Sequence, residues 1–422
     1  MKKRLKICHI SDCLPSSHKS WGGAEQACKR LMVASVRAGI DVSVITTTAD
    51  SSLTNAGIAH YTAHTMDSFL KTGFARGVKQ LVLPFDPLSF VGVYKALKMV
   101  MPDVVHLHRV NELGLSVAQC AQMLGIPVVV TIYDYYFFCP KETVVDDEDR
   151  KCAVYHGMRC VACMGLAAPR FLKMLLLGLR RGVFDAFMKN ISFHVLSTAS
   201  AAVLEGYGIE ANRIRKILQV FPLQAAVPDN NAVQKGLILY IGWIQERKGL
   251  HVLIKAMPSI IKACPDAHLL AIGSIKRDEY FAKIQSLITG SGFPERIVLA
   301  GKKDYTEVSE YMGKAQVVVI PEQWENMSPV VLVEAMSFGK PVVASDIGGI
   351  PEFVVDEESG LLAEHSSPAA FAGKVIKLLS DDSYAARMGK AARSHIAILM
   401  DEERIMRNYI TLYDEAINGR NE

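Results

Sequence analysis

Apolar, β-branched segments that alternate with longer helical patterns constrain the fold of this chain more than any other feature. The first half contains LKICHIS, DVSVITTT, DVVHLH, PVVVTIYD and FHVLS, and the second half contains GLILYIG, AHLLAIGS, RIVLAG, AQVVVIP, KPVVAS and GLLA. Near-continuous Val, Ile and Leu runs are typical of strands buried on both faces, as in parallel sheets. Their alternation with helices predicts βαβ units and therefore a doubly wound α/β fold.

Length and one irregular segment predict two domains. A chain of 422 residues is too long for one ordinary hydrophobic core. Residues 221–236 carry two prolines and a polar cluster without helical periodicity, which is typical of a linker. We therefore expect Rossmann-like domains at residues 1–220 and 237–399, with a C-terminal helix at about 400–422 that packs back on the first domain. Two such domains facing each other would enclose a cleft lined by strand ends, where ligands bind in these sheets.

Charge and hydropathy argue against some functional classes. The net charge of +4 is small, and 47 Lys and Arg are interspersed with 43 Asp and Glu, so nucleic acid is not an expected partner. The basic start MKKRLKICHISD precedes only a short strand-like run, which is neither a signal-peptide core nor a membrane span. No segment has the roughly 18 uninterrupted apolar residues of a spanning helix. We expect a cytoplasmic protein with reduced thiols.

A glycine pair follows the first predicted strand. Gly22 and Gly23 open the helical pattern WGGAEQACKRLMVASVRAG. Glycines at a helix entry let backbone amides approach an anion, and the helix dipole favours negative charge there. For this pair taken alone, a tight turn without any ligand is an equally good interpretation.

The stretch WENMSPVVLVEAMSFGKPVVASDIGGIPE contains a more specific pattern. We expect Ser328 as the N-cap and Pro329 as the first residue of the helix in VVLVEAMSFG, whose free amides would point at a ligand. Glu334 lies little more than one turn inside and has apolar neighbours on both sides, so we disfavour a purely solvent-facing role. Gly348 and Gly349 form a second glycine loop after the strand in KPVVAS. A carboxylate beside amide-rich anion sites suits a nucleotide diphosphate-sugar.

These motifs resemble those of the retaining GT-B glycosyltransferases of family 4. WGGAE near the N-terminus, GWIQERKGL after the linker and the WENMSPVVLVEAMSFGKPVVASDIGGIPE stretch follow in that family's order, and the likeness covers nearly the whole chain. The resemblance implies a nucleotide-sugar donor bound mainly by the C-terminal domain and an acceptor bound mainly by the N-terminal domain. It also implies catalysis without a metal or another cofactor.

The resemblance assigns roles to individual residues. It implies that Glu334 binds the donor ribose and that Lys248 neutralises the diphosphate. It places the Gly348–Gly349 loop around the donor sugar and the diphosphate. Gly22 and Gly23 match the glycine turn that lies against the diphosphate from the other domain.

Two histidines in DVVHLHRVNELG are further candidates. His106 and His108 alternate along a strand end, so both side chains should point to one face. The resemblance implies that His108, the one nearer the loop, lies near the transferred sugar and takes part in catalysis. We interpret His106 as a structural residue.

The sequence departs from the family pattern at two positions. The family's Glu-x7-Glu spacing, counted back from Glu334, arrives at Asn326, whereas the nearest acidic residue is Glu325. We favour Glu325 as the first acidic residue, with a one-residue bulge, because an amide cannot supply the negative charge that steadies a cationic sugar. Asn326 is then a candidate for hydrogen bonds to sugar hydroxyls. Relatives usually have Arg at the position of Trp243, and Arg247 is the candidate replacement for that cation.

Four of the nine cysteines fall in one segment: Cys139, Cys152, Cys160 and Cys163. The Cys-x2-Cys pair suits a tetrahedral metal, and four thiolates would make a structural zinc site with His156 as a spare ligand. Ordinary reduced cysteines in a loop are the alternative, and a disulfide would require an oxidising compartment.

The segment PRFLKMLLLGLRRGVFDAFMKN mixes basic and apolar residues. Such a helix could rest on an anionic membrane at the inner face, as suits an enzyme that uses lipid-linked acceptors. We expect instead a core-facing helix with a solvated basic side.

The sequence therefore predicts a retaining glycosyltransferase that moves a sugar from a nucleotide diphosphate donor to a hydroxyl of a saccharide or lipid-linked acceptor. Polysaccharide or glycoconjugate biosynthesis is the expected context. Two alternatives stay open. One is a degenerate nucleotide-sugar-binding or scaffold subunit, motivated by Trp243 and the displaced glutamate, and the other is a nucleotide-sugar epimerase on the same architecture.

Overall fold

The computed structural model of the protein describes residues 4–15, 23–69, 79, 85–146, 152, 157–166, 168–223, 233–275 and 277–419. Gly22 and His156 lie outside these residues. The chain divides into two compact units, Met1–Phe221 with Glu402–Glu422, and Pro222–Asp401. Each unit contains one parallel sheet whose strands alternate with helices, so the predicted α/β class with two Rossmann-like domains is confirmed.

The first unit is built on a seven-stranded sheet. Its strands are β1 (Lys6–Ile10), β2 (Asp41–Thr46), β3 (Ala59–Thr62), β4 (Val104–Leu107), β5 (Val128–Thr131), β6 (Ile191–Val195) and β7 (Ile214–Lys216). They follow the order β3-β2-β1-β4-β5-β6-β7, so the strand order reverses between β1 and β4. In doubly wound sheets, ligands bind beside the carboxyl ends of the strands at such a reversal.

Among the described residues, the helices that connect the strands of this sheet are α1 (Gly23–Arg37), α2 (Pro87–Val100), α3 (Ser116–Met123), α4 (Arg170–Phe187) and α5 (Thr198–Gly206). Helix α2 shows how the sequence sets a boundary. Asp86 accepts hydrogen bonds from the amides of Leu88 and Ser89, and Pro87 occupies the first turn, where its missing amide proton is not needed.

The second unit is built on a six-stranded sheet of order β10-β9-β8-β11-β12-β13. Its strands are β8 (Leu237–Ile241), β9 (His268–Ile272), β10 (Ile297–Gly301), β11 (Val317–Ile320), β12 (Val342–Ser345) and β13 (Leu361–Ala363). Its helices are α6 (Leu250–Ala263), α7 (Asp278–Thr289), α8 (Tyr305–Lys314), α9 (Val330–Ser337), α10 (Pro368–Ser380) and α11 (Asp382–Leu399). Strands β11 and β12 are buried along their whole length, as their Val-rich sequences predict.

The last helix, α12 (Glu402–Asn418), belongs to the first unit. It packs against α1, β4 and β5, and it buries Tyr409 and Tyr413 in the core of that unit. Within the described part of the chain, every helix is too short or too polar to cross a bilayer.

Helix α4 differs from the sequence expectation. Phe171, Leu175 and Leu179 are 72%, 58% and 48% exposed, whereas Arg180 is buried with Phe184. The Arg180 guanidinium is accommodated because it donates to a backbone carbonyl, that of Tyr136, and lies 4.5 Å from the centre of the Phe184 ring. The expected core-facing helix with a solvated basic side is therefore wrong, since much of the apolar side faces outward.

Candidate active site

Two loops at the carboxyl ends of β11 and β12 contact each other in the second unit. The amide of Gly349 donates to the carbonyl of Asn326 at 2.7 Å. Gly348 has a φ of +61°, and a Cβ there would lie 2.8 Å from the Asn326 backbone and 3.0 Å from the carbonyl carbon of Glu325. Only glycine permits this backbone conformation and this approach without strain. Four predicted site residues are thus brought together by backbone packing.

Glu325 and Asn326, the two candidates for the first position of the Glu-x7-Glu pattern, have different surroundings. Glu325 is 3% exposed, so its carboxyl group lies in the interior of the loop. Asn326 is 8% exposed, and its Oδ1 accepts a hydrogen bond from the amide of Ser328 at 3.2 Å. Asn326 therefore shapes the turn that leads into α9. The acidic role of Glu325 and the hydroxyl-binding role of Asn326 stay predictions.

Helix α9 begins one residue later than the sequence predicts. Pro329, with ψ at 106°, occupies the N-cap position, and Val330 is the first helical residue. Ser328 is not the N-cap, because the extended backbone of Pro329 keeps that residue outside the helix. Glu334 is consequently the fifth residue of the helix and is partly exposed between buried neighbours.

A group of polar side chains lies beside the same loop. Glu322, 4% exposed, accepts from Lys248 Nζ at 2.5 Å and from Trp324 Nε1 at 2.6 Å. The Arg247 guanidinium lies 4.5 Å from the centre of the Trp324 ring, which is a cation–π contact. Side chains of the loop after β11 therefore contact both predicted donor-binding cations, Arg247 and Lys248. Sequence reasoning missed Glu322, although an acidic residue two positions after a buried strand was an available signal.

In the first unit, His106 and His108 lie on one face, as the alternation along β4 predicts. Their rings stack with centroids 4.3 Å apart. His106 Nδ1 is 2.8 Å from the Tyr413 hydroxyl, and its Nε2 is 2.7 Å from Thr131 Oγ1. Both ring nitrogens are thus held inside the protein, in agreement with a structural role for His106.

His108 is also buried, at 1% exposure. Its Nε2 is 2.8 Å from His9 Nδ1, and its Nδ1 is 3.1 Å from the Tyr133 hydroxyl. Burial lowers the pKa of His108 well below its usual range, and the neighbouring His9 and His194 lower it further, so the ring is neutral at physiological pH. The predicted contact of His108 with a sugar stays a prediction.

The three histidines His9, His106 and His108 form a group whose nitrogen atoms lie within 4.8 Å of one another, close enough for a shared metal ion. Their orientation favours a different interpretation. The lone pairs of stacked imidazole rings lie in the ring planes, so those of His106 and His108 run side by side instead of converging. Both rings also have protein partners at both nitrogens. A hydrogen-bonded network fits this group better than a metal centre.

The segment after β1 also approaches the end of β4. Asp12 accepts hydrogen bonds from the amides of Glu112 and Leu113 at 3.0 and 2.9 Å, and burial raises its pKa to about 7. Glu25 in the first turn of α1 is buried and pairs with Arg109 at 3.2 Å. Gly23, the described half of the predicted glycine pair, is the exposed first residue of α1. Asp12 was not singled out in the sequence, where it lies two residues after the end of β1.

The four clustered cysteines are all described. Cys139 is buried, whereas Cys152, Cys160 and Cys163 are partly exposed. Burial and the nearby Cys139 thiol raise the pKa of Cys152 to about 11, with a smaller contribution from Cys160. Among the described residues, these four thiols do not form a group of three or more ligand atoms within 4.8 Å of one another. Part of the segment between them lies outside the described residues, and the zinc site stays a prediction.

Both units match models of known protein families, and parts of the chain match curated proteins. The family model described as Glycosyltransferase Family 4 matches residues 21–218, and Glycosyl transferases group 1 matches residues 226–395. An uncharacterized glycosyltransferase of Methanocaldococcus jannaschii is 31% identical over 152 residues, which are 36% of this chain and 40% of the relative. D-inositol 3-phosphate glycosyltransferase of Corynebacterium glutamicum is 30% identical over 192 residues, 44% of each chain. The chain thus spans less than half the length of these curated relatives.

Solved structures with a similar fold cover nearly the whole chain. Sucrose-phosphate synthase from Thermosynechococcus elongatus superposes with a TM-score of 0.71 at 20% identity, covering 99% of this chain and 100% of that structure. HepE of Anabaena, solved in complex with UDP-glucose, gives a TM-score of 0.69 at 17% identity, covering 97% and 100%. These likenesses show that the chain has the GT-B fold.

Proposed function

Since the chain belongs to the glycosyltransferases of family 4 and group 1, we propose that it transfers a sugar from a nucleotide diphosphate donor to an acceptor hydroxyl and retains the anomeric configuration. The acceptor is a saccharide or a lipid-linked saccharide, in polysaccharide or glycoconjugate biosynthesis. The uridine nucleotide and UDP-glucose in the solved complexes of Anabaena HepE support a nucleotide-sugar donor.

The proposal rests on the packing of two loops in the second unit. In the second unit, the glycine loop after β12 packs on the backbone of Glu325 and Asn326 immediately before α9. A buried carboxylate, a glycine loop and the amino end of a helix therefore meet at the carboxyl edge of a parallel sheet. This is the edge where doubly wound sheets bind nucleotides, and a helix amino end favours phosphate.

The charge of each group indicates which part of the nucleotide-sugar donor it would bind. Lys248, the start of α9 and the glycine loop would hold the diphosphate and stabilise the negative charge that develops as it leaves. Glu322 holds Lys248 in place through their ion pair. Glu334, one turn further along α9, would accept hydrogen bonds from the ribose hydroxyls.

The transferred sugar gains positive charge as the bond to the diphosphate breaks. The buried carboxylate of Glu325 would stabilise that charge strongly, because electrostatic interactions are less screened in the protein interior than in water. A phosphate oxygen of the donor would then take the proton of the acceptor hydroxyl on the same face of the sugar. Attack from the face that the diphosphate leaves retains the configuration, and no step requires a metal ion.

A donor screen tests the proposal. The purified protein is incubated with UDP-, GDP-, ADP- and CMP-activated sugars, with and without a panel of saccharide acceptors, and the released nucleotide is measured. Acceptor-dependent release of one nucleoside diphosphate is expected. Binding without any release would indicate a scaffold subunit. Conversion of the donor to a stereoisomer that is independent of acceptor would indicate an epimerase.

We expect Glu334→Gln to weaken nucleotide binding while the fold stays intact. Loss of a charge-assisted hydrogen bond costs about 1.5–3 kcal/mol, or roughly ten- to a hundredfold in affinity. Calorimetric titration with the nucleoside diphosphate of the active donor measures this change. Glu310→Gln, at an exposed position of α8, is the matched control. Unchanged affinity of the Glu334 variant would refute its role at the ribose.

We also propose that Cys139, Cys152, Cys160 and Cys163 hold a structural zinc ion. Four thiolates leave no open position for a substrate, and the ion would stabilise the fold and not the reaction. Protein purified without chelators is expected to contain about one zinc per chain. Cys163→Ser should lose the metal and lower the melting temperature, whereas Cys264→Ser, in the second unit, should do neither. Metal-free protein of full stability would contradict the site.

The exposed apolar side of α4 supports a peripheral membrane contact. Leu175 and Leu179 are exposed on a helix that also carries Arg170 and Lys173, a combination typical of helices that lie on anionic lipid surfaces. The protein is expected to float with vesicles that contain anionic phospholipid and not with neutral ones. Leu175→Ser with Leu179→Ser should abolish flotation. Met99→Ser, at a similarly exposed position of α2, should float like the natural chain, and equal flotation of all variants would contradict this contact.

A further inference from the structure

Trp324, in the loop after β11, is a buried tryptophan that lies beside both cations of the candidate site. It is 6% exposed, and its ring centre lies 4.5 Å from the Arg247 guanidinium carbon and 5.7 Å from Lys248 Nζ. Burial alone does not explain an indole at this position, because its N–H needs a partner in the interior. The contacts of the N–H and of the ring therefore indicate what this residue does.

The indole N–H fixes one carboxylate. Trp324 Nε1 donates to Glu322 Oε2 at 2.6 Å, and Lys248 Nζ donates to Glu322 Oε1 at 2.5 Å. Each oxygen of Glu322 has its own donor, so the carboxylate cannot rotate without loss of a charge-assisted hydrogen bond. Trp324 thus determines where Glu322 lies and, through Glu322, where the Lys248 ammonium group lies.

The ring face of Trp324 holds the second cation. Among the described residues, Arg247 has no carboxylate partner, and its Nε is buried without a hydrogen-bond acceptor. Glu246, its neighbour in sequence, pairs with Lys283 instead. An aromatic face attracts the charge of a guanidinium but offers it no lone pair. The N–H groups of Arg247 therefore stay available to another acceptor.

The two cations differ in what surrounds their charge. Glu322 balances the charge of Lys248 at hydrogen-bond distance, whereas Arg247 faces an uncharged ring. A buried donor without an acceptor is costly, and an anionic oxygen would remove that cost. The planar guanidinium also matches a phosphate with two parallel N–H groups. Arg247 therefore gains more from a bound phosphate than Lys248 does.

Both loops lie at the reversal of strand order in the second sheet, which falls between β8 and β11. Arg247 follows β8 and Trp324 follows β11, and the amide of Gln323 joins the two loops by donating to the Arg247 carbonyl at 2.8 Å. Gly249 permits this approach, since a Cβ there would lie 1.6 Å from the Pro321 carbonyl oxygen. Doubly wound sheets bind ligands beside such a reversal, so the place of these cations in the fold itself favours an anionic ligand.

We propose that Trp324 is a positioning residue that holds Arg247 as a phosphate-binding residue for the donor diphosphate and, through Glu322, fixes Lys248 beside it. Two cations on one indole suit an anion with two linked phosphates. This inference rests on the proposed function, concerns the second unit alone, and gives a role to a tryptophan that no motif assigns.

Binding measurements test Arg247 without any transfer. UDP, GDP and ADP are titrated calorimetrically into the natural chain, Arg247→Met and Arg247→Lys. For the nucleotide that binds, Arg247→Met should lower affinity about ten- to a hundredfold, the effect of one charge-assisted hydrogen bond. Arg247→Lys keeps the charge without the planar fork and should fall between the other two. Unchanged affinity of Arg247→Met would overturn the proposal.

Two substitutions separate the contacts of the indole. Trp324→Leu and Trp324→Phe both lose the N–H that donates to Glu322, and only the phenyl ring can still face Arg247. Trp324→Leu should lower nucleotide affinity about two- to thirtyfold, the range of a cation–π contact. Trp324→Phe should bind nearly as the natural chain does. Equal affinities of these two variants would show that the ring does not position Arg247.

The same pair of variants in an Arg247→Met background distinguishes positioning from general support of the loop. Without a guanidinium for the ring to hold, Trp324→Leu and Trp324→Phe should bind the nucleotide equally. A difference that persists in this background would show that the ring supports the loop and does not act through Arg247. Since Arg247 is partly exposed, its single variants test the phosphate contact even where a Trp324 variant does not fold.

Spectra and turnover test the contact with Glu322. In protein with 15N-labelled indoles, Trp324→Phe identifies the Trp324 signal among the three tryptophans, and Glu322→Gln should shift that signal. Trp324→Phe should also lower turnover about tenfold, the effect of about one hydrogen bond, because Lys248 loses its fixed position. Natural turnover of Trp324→Phe, or an unshifted signal in Glu322→Gln, would show that the indole N–H does not position Lys248.

The natural chain separates this proposal from the proposed function. Binding of a nucleoside diphosphate with the expected losses in the variants, but without any sugar transfer, would overturn the proposed function and leave the phosphate contact of Arg247 in place. Transfer by the natural chain with equal nucleotide affinity in all variants would overturn the role of Trp324 and Arg247 alone. A natural chain that binds none of the three nucleotides would overturn both.

Discussion

Glu325→Gln is expected to lower the turnover of sugar transfer about 100- to 1000-fold, the range seen when one preorganised electrostatic group is removed from an active site. The carboxylate is 3% exposed, so its charge would act on the cationic sugar with little screening by water. A glutamine keeps the shape and loses the charge. Single-turnover measurements at saturating donor separate this effect from any change in donor affinity.

Asn326→Ser is the matched control for that prediction. A serine oxygen can still accept the hydrogen bond from the amide of Ser328 that the Asn326 side chain now accepts. The turn before α9 is therefore expected to persist, with turnover reduced less than about tenfold, the scale of one neutral hydrogen bond. A larger loss for Asn326→Ser than for Glu325→Gln would show that the strict family spacing, and not the position of the charge, defines the site.

Lys248→Met is expected to lower turnover about a hundredfold, because the leaving diphosphate loses a fixed positive charge. The single variant has a second effect, since it leaves the buried carboxylate of Glu322 without its cation. Breaking a buried ion pair by removal of one partner costs about 3–5 kcal/mol of stability. The measurement is therefore made on purified folded protein, with the melting temperature recorded beside turnover.

A double variant separates the two effects. Lys248→Met with Glu322→Gln removes both charges of the pair, and the glutamine can still accept from Trp324. Stability should recover in the double variant because no unpaired buried charge remains, whereas turnover should stay low. Recovery of turnover together with stability would show that Lys248 acts on the structure and not on the diphosphate.

The parts of the structure that the sequence predicts are those with a local pattern. Strands β11 and β12 are buried on both faces, and their Val-rich runs could be recognised without knowledge of their neighbours. The stacking of His106 and His108 follows from their alternation on one strand. The glycine loop was likewise visible, because glycine marks positions where the backbone must adopt a positive φ or approach another chain segment.

The parts that could not be predicted depend on contacts between distant residues. Lys248 and Glu322 are 74 positions apart, and His9 and His108 are 99 apart, so no local pattern links either pair. The burial of Arg180 depends on a carbonyl 44 positions away, which is why the orientation of α4 was predicted wrongly. At the start of α9, the extended backbone of Pro329 places the boundary one residue after the predicted position, a scale at which helix ends are commonly uncertain.

Retention of configuration during transfer from a nucleotide donor is the central claim, and 1H NMR of the reaction tests it most directly. The anomeric proton of the sugar is followed from the active donor to the product, while nucleoside diphosphate is measured in the same sample. The expected result is a product with the anomeric configuration of the donor and equal amounts of product and nucleoside diphosphate. A product of inverted configuration would contradict the proposed mechanism, and a changed donor sugar without release of nucleoside diphosphate would contradict glycosyl transfer itself.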